Sequence, residues 1–203
     1  MEQYTNRILL RGDLLGMPEY SHENHGRKFY RFFLEVPRLS GAIDILPIVS
    51  ELRLLEGLDL LCGERMTVEG QIRSHNHTDE TGRHLMIFVF ANTIAMENGE
   101  PLNDVTIEGL LCREPTFRRT PLGREICDAM LAVPRAFRRA DYLPCILWGR
   151  TAQEISRCTT RDRIHIQGRL QSRIYTKYQN DVPMERTAYE ISALTAAPYT
   201  NEQ

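Results

Sequence analysis

The chain has 203 residues, with 25 Lys+Arg against 27 Asp+Glu and 42% hydrophobic residues, giving a net charge of −2. That length fits one large domain or two of about 100 residues, and the mix of apolar and charged residues is ordinary for a soluble globular protein. No apolar run approaches the ~20 residues of a membrane span, and MEQYTNRILL has no basic stretch leading an apolar core, which excludes a secretory signal and implies a cytoplasmic protein without membrane partners.

In chain order, RILLRGDLL, KFYRFFLEV and DILPIVS predict three strands. A segment around LRLLEGLDLL follows, then the strands RMTVEGQIRS and HLMIFVFAN. In KFYRFFLEV, Phe29 and Phe33 lie opposite Tyr30, Phe32, Leu34 and Val36, so alternation predicts an apolar outer face that a partner covers. Beyond Met96 the set recurs. VTIEGLL is a strand, and REPTFRRTPLG is a polar loop broken by Pro and Gly. ICDAMLAV alternates with Cys127, Ala129, Leu131 and Val133 on one face, and YLPCILW is a third strand. RTAQEISRC is short and helical, with Ala152 and Ile155 three apart. RIHIQGRLQSRIY is a long strand in which Gly168 predicts a bulge, and RTAYEISAL closes the set.

The recurrence is an internal repeat. From Asn6 to Pro47 and Asn103 to Pro144 the offset is a constant 97 without a gap, pairing Gly12 with Gly109, Pro18 with Pro115 and Val36 with Val133. One added residue later, ERMTVEGQIRS aligns with DRIHIQGRLQS. A period this long is a whole small domain rather than a solenoid unit. The expected organisation is therefore a domain over 1–96, a linker over 97–103 and a second domain over 104–203. Strands in the order β-β-β-α-β-β predict an all-β protein of two tandem OB-folds, five-stranded Greek-key barrels each with one short helix between strands 3 and 4.

The phrases PTFRRTPLG, LAVPR, WGRTAQEI and QGRLQSRIY, in that order across roughly residues 103–194, resemble the bacterial single-stranded DNA-binding protein family. The first copy resembles it only through its match to the second. The resemblance implies an OB-fold, single-stranded DNA (ssDNA) as the partner without strong sequence preference, and an assembly of four OB-folds, which two chains of this kind supply as a homodimer. It also places base-stacking aromatics at Tyr142, Trp148 and Tyr175. The ending SALTAAPYTNEQ departs from the family in lacking an acidic tip for recruiting replication or repair enzymes.

Sequence-tolerant binding needs cations along the phosphates and flat faces under the bases. The second copy supplies candidates for both: Phe137, Tyr142, Trp148, Tyr175 and Tyr178 beside Arg118, Arg119, Arg135, Arg138, Arg139, Arg150, Arg169, Arg173 and Lys177. Against this, Trp148 and Tyr142 share their strand face with Pro144 and Ile146, a pattern that core packing also gives. The first copy has Ser40, Ile45, Glu51 and His77 at the positions of Phe137, Tyr142, Trp148 and Tyr175. Charge divides the same way: residues 1–102 hold 10 Lys+Arg and 15 Asp+Glu, net −5, and residues 103–203 hold 15 and 12, net +3. The first copy reads as a domain kept for shape, the second as one kept for its ligand. Stacking does not see a 2′-OH, so RNA stays open as a ligand. The other reading is a tandem OB protein-interaction module of a replisome or primosome with weak or no nucleic-acid binding.

Other signals are bland. His75, His77 and His84, with Asp79 and Glu80, read as a solvated hairpin tip rather than a metal site. The five cysteines (Cys62, Cys112, Cys127, Cys145, Cys158) are odd in number, lack C-x-x-C spacing and read as reduced thiols. No phosphate loop or nucleophile motif occurs, so neither enzyme activity nor a cofactor or metal is expected.

Overall fold

The computed structural model describes residues 5–79, 82–179 and 182–199; Glu80 of the histidine loop and the last four residues of the C-terminal segment lie outside them. Strands β1 (Asn6–Asn24), β2 (Arg27–Pro37), β3 (Ile43–Glu51), β4 (Arg65–Asp79) and β5 (Gly82–Met96) form the first unit. β1 pairs with β2, β2 with β3, β3 with β5 in parallel, β5 with β4, and β4 with β1, so the sheet closes on itself. The second unit contains β6 (Leu102–Leu111), β7 (Thr116–Arg119), β8 (Glu125–Arg135), β9 (Arg139–Trp148), helix α1 (Gly149–Ile155), β10 (Arg163–Gln179) and β11 (Val182–Pro198). Here β6, β8, β9, β11 and β10 close in the same order. Both units are OB-folds, and closure leaves neither with a long open edge.

Alternation builds both interiors. Ile8, Leu10, Phe32, Leu34, Val36, Leu46 and Ile48 fill the first; Cys127, Leu131, Val133, Leu143, Leu147, Ile164 and Ile166 fill the second. Ala152 and Ile155 of α1 are fully buried against the second barrel. Gly168 sits at a register shift, as its position in the sequence predicts, and Gly70 marks the matching shift in β4. A Cβ on Gly168 would stand 2.2 Å from the Ser192 carbonyl oxygen, and one on Gly70 2.2 Å from that of Phe90. Only glycine admits so close an approach of two strands.

Three local expectations are corrected. The segment after β3 holds only a three-residue 3₁₀ turn, Leu52–Leu54, because Gly57 soon takes φ = +79° and turns the chain. Part of the loop REPTFRRTPLG is the short strand β7, paired with β8 from Thr116↔Asp128 to Arg119↔Glu125. Phe29 does not await a partner: it is buried within its own barrel, stacked on His22 at 4.8 Å and tilted against Phe90 at 5.9 Å. The bulges of β1 between Leu15 and His22 bring His22 opposite Phe29. Phe33 remains exposed, as alternation predicts.

The two barrels meet about a local two-fold axis that the repeat explains. β1 and β6 pair antiparallel with Ile8 opposite Val105, its own counterpart at offset 97. Asn6 lies opposite Ile107 and Leu10 opposite Asn103, so each contact occurs twice with the roles exchanged, as a two-fold interface requires. Each counterpart asparagine also binds both backbone groups of one residue in its own barrel, Asn6 at Ile72 and Asn103 at Leu170, with distances of 2.7–2.9 Å.

A second exchange flanks the axis. Asp44 is fully buried and accepts from Arg38 at 2.7 and 2.5 Å and from the Ser172 amide of the other barrel at 2.7 Å. Its counterpart Asp141, equally buried, accepts from Arg135 at 3.2 Å, from Arg73 at 3.0 Å and from the Ser74 amide at 2.7 Å. A buried carboxylate is tolerated only when its charge and lone pairs are satisfied in this way.

Candidate nucleic-acid interface

β9 presents alternate residues to the two sides of the sheet. Asp141, Leu143, Cys145 and Leu147 are buried inward, whereas Tyr142 (45% exposed) and Trp148 (37%) stand outward with Pro144 and Ile146 between them. The alternative that these aromatics are core is therefore excluded for this pair. The Trp148 indole N–H donates to Ser192 Oγ of β11 at 3.3 Å, which fixes the ring edge against the sheet. On the neighbouring strand, Ile126 lies opposite Trp148 and Ala132 opposite Tyr142, so small and apolar residues border both rings.

Phe137 lies on the loop into β9 and is 93% exposed. Both Phe137 (φ +60°) and Arg138 (φ +55°) take left-handed backbone. That conformation costs a non-glycine residue roughly 1–2 kcal/mol. A fully exposed aromatic on a strained loop gains nothing from burial in the free protein.

On β10, Arg169, Gln171, Arg173, Tyr175 and Lys177 share one side by alternation. It is the side of Trp148, because Arg169 pairs with Ser192 and Ser192 with Ile146. Tyr175 has the Arg173 guanidinium 5.7 Å from its ring centroid. Tyr178 falls on the opposite side of the hairpin, with the exposed Ile174. The two tyrosines that sequence groups together thus occupy different surfaces.

The arginines divide as well. Five of the eight have carboxylate partners: Arg118 with Asp128 at 2.6 Å, Arg119 with Glu125 at 2.8 Å, Arg135 with Asp141 at 3.2 Å, Arg150 with Glu154 at 2.8 Å and Arg173 with Glu190 at 3.8 Å. The Asp128 hydrogen bond raises the Arg118 pKa above its ordinary value. Arg135 sits in the junction between barrels, not on the outer face. Among the described residues, Arg138, Arg139 and Lys177 have no carboxylate partner and are exposed. Arg169 donates only to Gln171 Oε1, at 3.5 Å, and its Nε is buried without a hydrogen-bond partner.

Two features escape the sequence reading. Comparing the copies position by position hides a different aromatic set on the equivalent face of the first barrel. There Phe33, Phe88 and Phe90 share one side of the sheet with Ile45 and Met86, and Phe33, Ile45 and Met86 are exposed. The run IFVF in β5 carried that signal. The other is Ser74, invisible as chemistry in sequence, whose hydroxyl accepts from the Tyr142 amide at 2.8 Å across the barrel junction.

The model of the single-strand binding protein family matches residues 102–197. Single-stranded DNA-binding protein B of Bacillus subtilis is 34% identical over 80 residues, covering 36% of this chain and 71% of that protein. The chain belongs to this family. Single-stranded DNA-binding protein A of the same organism is 34% identical over 85 residues, 38% of this chain and 49% of its own length. Single-stranded DNA-binding protein 1 of Lactococcus lactis is 33% identical over 85 residues, 38% of this chain and 57% of its own. The chain thus spans about half the length of most curated relatives it matches. The wild-type single-stranded DNA-binding protein of Thermus aquaticus superposes over 100% of this chain and 96% of its own, with a TM-score of 0.81 at 22% identity. The two-barrel fold is shared across the whole chain, including the first copy that the family model leaves out.

Proposed function

We propose that this protein binds single-stranded DNA with little sequence preference, mainly through the outer face of its second barrel, and protects single strands in replication, recombination or repair in the cytoplasm. The observation that carries the reading is Tyr142 and Trp148 standing outward and half-exposed on one strand, with Arg138 and Arg139 at its start exposed and without a carboxylate partner among the described residues. Bases stack on Tyr142, Trp148 and Tyr175, with Phe137 adding a fourth face, and each stack is worth about 1–3 kcal/mol. Arg138, Arg139, Arg169 and Lys177 meet phosphates directly. Arg118, Arg119, Arg150 and Arg173 do so by exchanging a protein carboxylate for a phosphate. The curated relatives carry names that state the same ligand, which supports the reading.

Trp148 is the single tryptophan of the chain, so its fluorescence reports on the site. Titration with dT oligonucleotides is expected to quench it, with affinity falling steeply as salt rises and far weaker binding to a blunt duplex. Equal affinity for both refutes the proposal, and a matched U oligonucleotide measures the RNA preference. We further propose a homodimer holding four OB-folds: light scattering is expected to give twice 23.5 kDa, and a clean monomer refutes it.

A further inference from the structure

We propose that the first barrel completes the ssDNA site of the second, with Ser74 of β4 as the positioning residue for Tyr142. The inference rests on the ssDNA reading above. It adds a role for a barrel that lacks the stacking set itself.

The start of β9 is held on one side only by its own barrel. β9 pairs with β8 from Arg139 to Trp148, but with β11 only at Cys145 and Ile146. At Tyr142 the other strand edge therefore has no strand partner among the described residues of the second barrel. Ser74 of the first barrel takes that place: its Oγ accepts the Tyr142 amide at 2.8 Å, and its own amide donates to Asp141 Oδ1 at 2.7 Å. One residue thus clamps two successive residues of β9. Asp141 is in turn fully buried and gripped by Arg73 at 3.0 Å from the first barrel and by Arg135 at 3.2 Å from the second.

The chain just before this point is the left-handed loop at Phe137 and Arg138, which supplies no comparable anchor. With Asp141 pinned inward and the Tyr142 amide pinned sideways, the Tyr142 ring has one direction left, outward on the same side of the sheet as Trp148. The same clamp operates in reverse across the two-fold. The Ser172 Oγ accepts the Ile45 amide at 3.3 Å, and its own amide donates to Asp44. The device is therefore symmetric, but it presents a stacking ring only where the first barrel's serine acts on the second barrel. Ser74 need not touch DNA to matter.

The test uses the full chain and a labelled dT oligonucleotide followed by anisotropy. Ser74→Ala is expected to weaken binding about three- to tenfold, the factor one hydrogen bond supplies, and Ser74→Thr, which keeps the hydroxyl, to restore it. In a Tyr142→Ala background Ser74→Ala should change nothing further, whereas in a Trp148→Ala background its full factor should remain. If Ser74→Ala binds as the wild type while Tyr142→Ala is weakened, Ser74 does not position the ring. A full Ser74→Ala effect persisting without Tyr142 reveals general loosening of the junction and equally overturns the proposal. If Tyr142→Ala and Trp148→Ala both bind as the wild type, the ssDNA reading itself falls, and this inference with it.

Discussion

Replacing Asp44 with alanine removes the acceptor of four hydrogen bonds: two from Arg38, at 2.7 and 2.5 Å, one from the Ser172 amide at 2.7 Å, and one from the Ser172 hydroxyl at 3.2 Å. It leaves the Arg38 guanidinium, whose side chain is only 22% exposed, without its carboxylate. The opposite guanidinium raises no net stability by itself, since the pair had to be desolvated; breaking it is what is costly. Removing one partner of a buried ion pair costs about 3–5 kcal/mol. In a chain of this size each kcal/mol lowers Tm by roughly 2–4 °C, so Asp44→Ala should lower it by about 10 °C. Differential scanning calorimetry on the full chain measures this, and the same loss is expected for Asp141→Ala, which strands Arg73 and Arg135. Asp44→Asn, which keeps one acceptor oxygen, should lose less. A fall of less than about 2 °C for Asp44→Ala would refute the claim that the junction contributes to stability, since it lies below the cost of a single unsatisfied buried group.

Charge reversal at Arg138 or Arg139 should weaken ssDNA binding and reduce the slope of log affinity against log salt by about one unit; an unchanged slope means that neither meets a phosphate. Burial pushes the Cys127 thiol up to about 11 and raises that of Cys145 as well, whereas Cys62 is exposed. A disulfide reagent at pH 8 should therefore label Cys62 quickly and the two buried thiols only on unfolding, and rapid labelling of Cys127 in the native protein contradicts this packing. Burial pushes the Glu108 carboxyl up, but hydrogen bonds from Arg163 at 2.7 Å and from His165 outweigh it and hold the carboxyl below 4.5. A lowered folded-state pKa stabilises above the unfolded value and is lost as pH falls through the folded one, so urea midpoints should fall more steeply below about pH 4.5 for the wild type than for Glu108→Gln; parallel curves would show that the pair contributes nothing.

The barrels were legible because their information is local. Alternation identifies Cys127, Leu131 and Val133 as inward, and the 97-residue offset identifies the second copy without any structural input. The outward pair Tyr142 and Trp148 was only half legible: alternation puts them on one face but does not say which face is core. The junction was illegible. Asp44 and Asp141 look like ordinary strand carboxylates, and Ser74 and Ser172 like solvent-facing serines. Their roles come from contacts spanning 67 and 128 positions, which no local pattern encodes. The arginines fail for a related reason. Composition counts them as a basic face, but whether Arg118 is free depends on Asp128, which the register of β7 and β8 brings within 2.6 Å of it.

The same physics explains why the 97-residue repeat kept some residues and changed others. At the two-fold junction Arg38 and Asp44 act on Ser172, while Arg135 and Asp141 act with Arg73 on Ser74. Losing Arg38 leaves the buried Asp44 without its guanidinium, and losing either aspartate leaves part-buried arginines without their carboxylate, at a cost of several kcal/mol, so both aspartates and Arg38 stand, with Arg135 sharing Asp141 with Arg73. The outward positions carry no such constraint. Ile45 and Tyr142 occupy counterpart sites, each with its amide held by the other barrel's serine, and their side chains meet solvent or ligand rather than the junction. Exchanging a half-exposed Tyr for Ile there costs the fold little, so these sites diverge at the demand of whatever each face binds. Shape is fixed by the reciprocal contacts and chemistry is written on the faces they leave free, which is how one repeated unit serves twice with Tyr142 and Trp148 present only in the second copy.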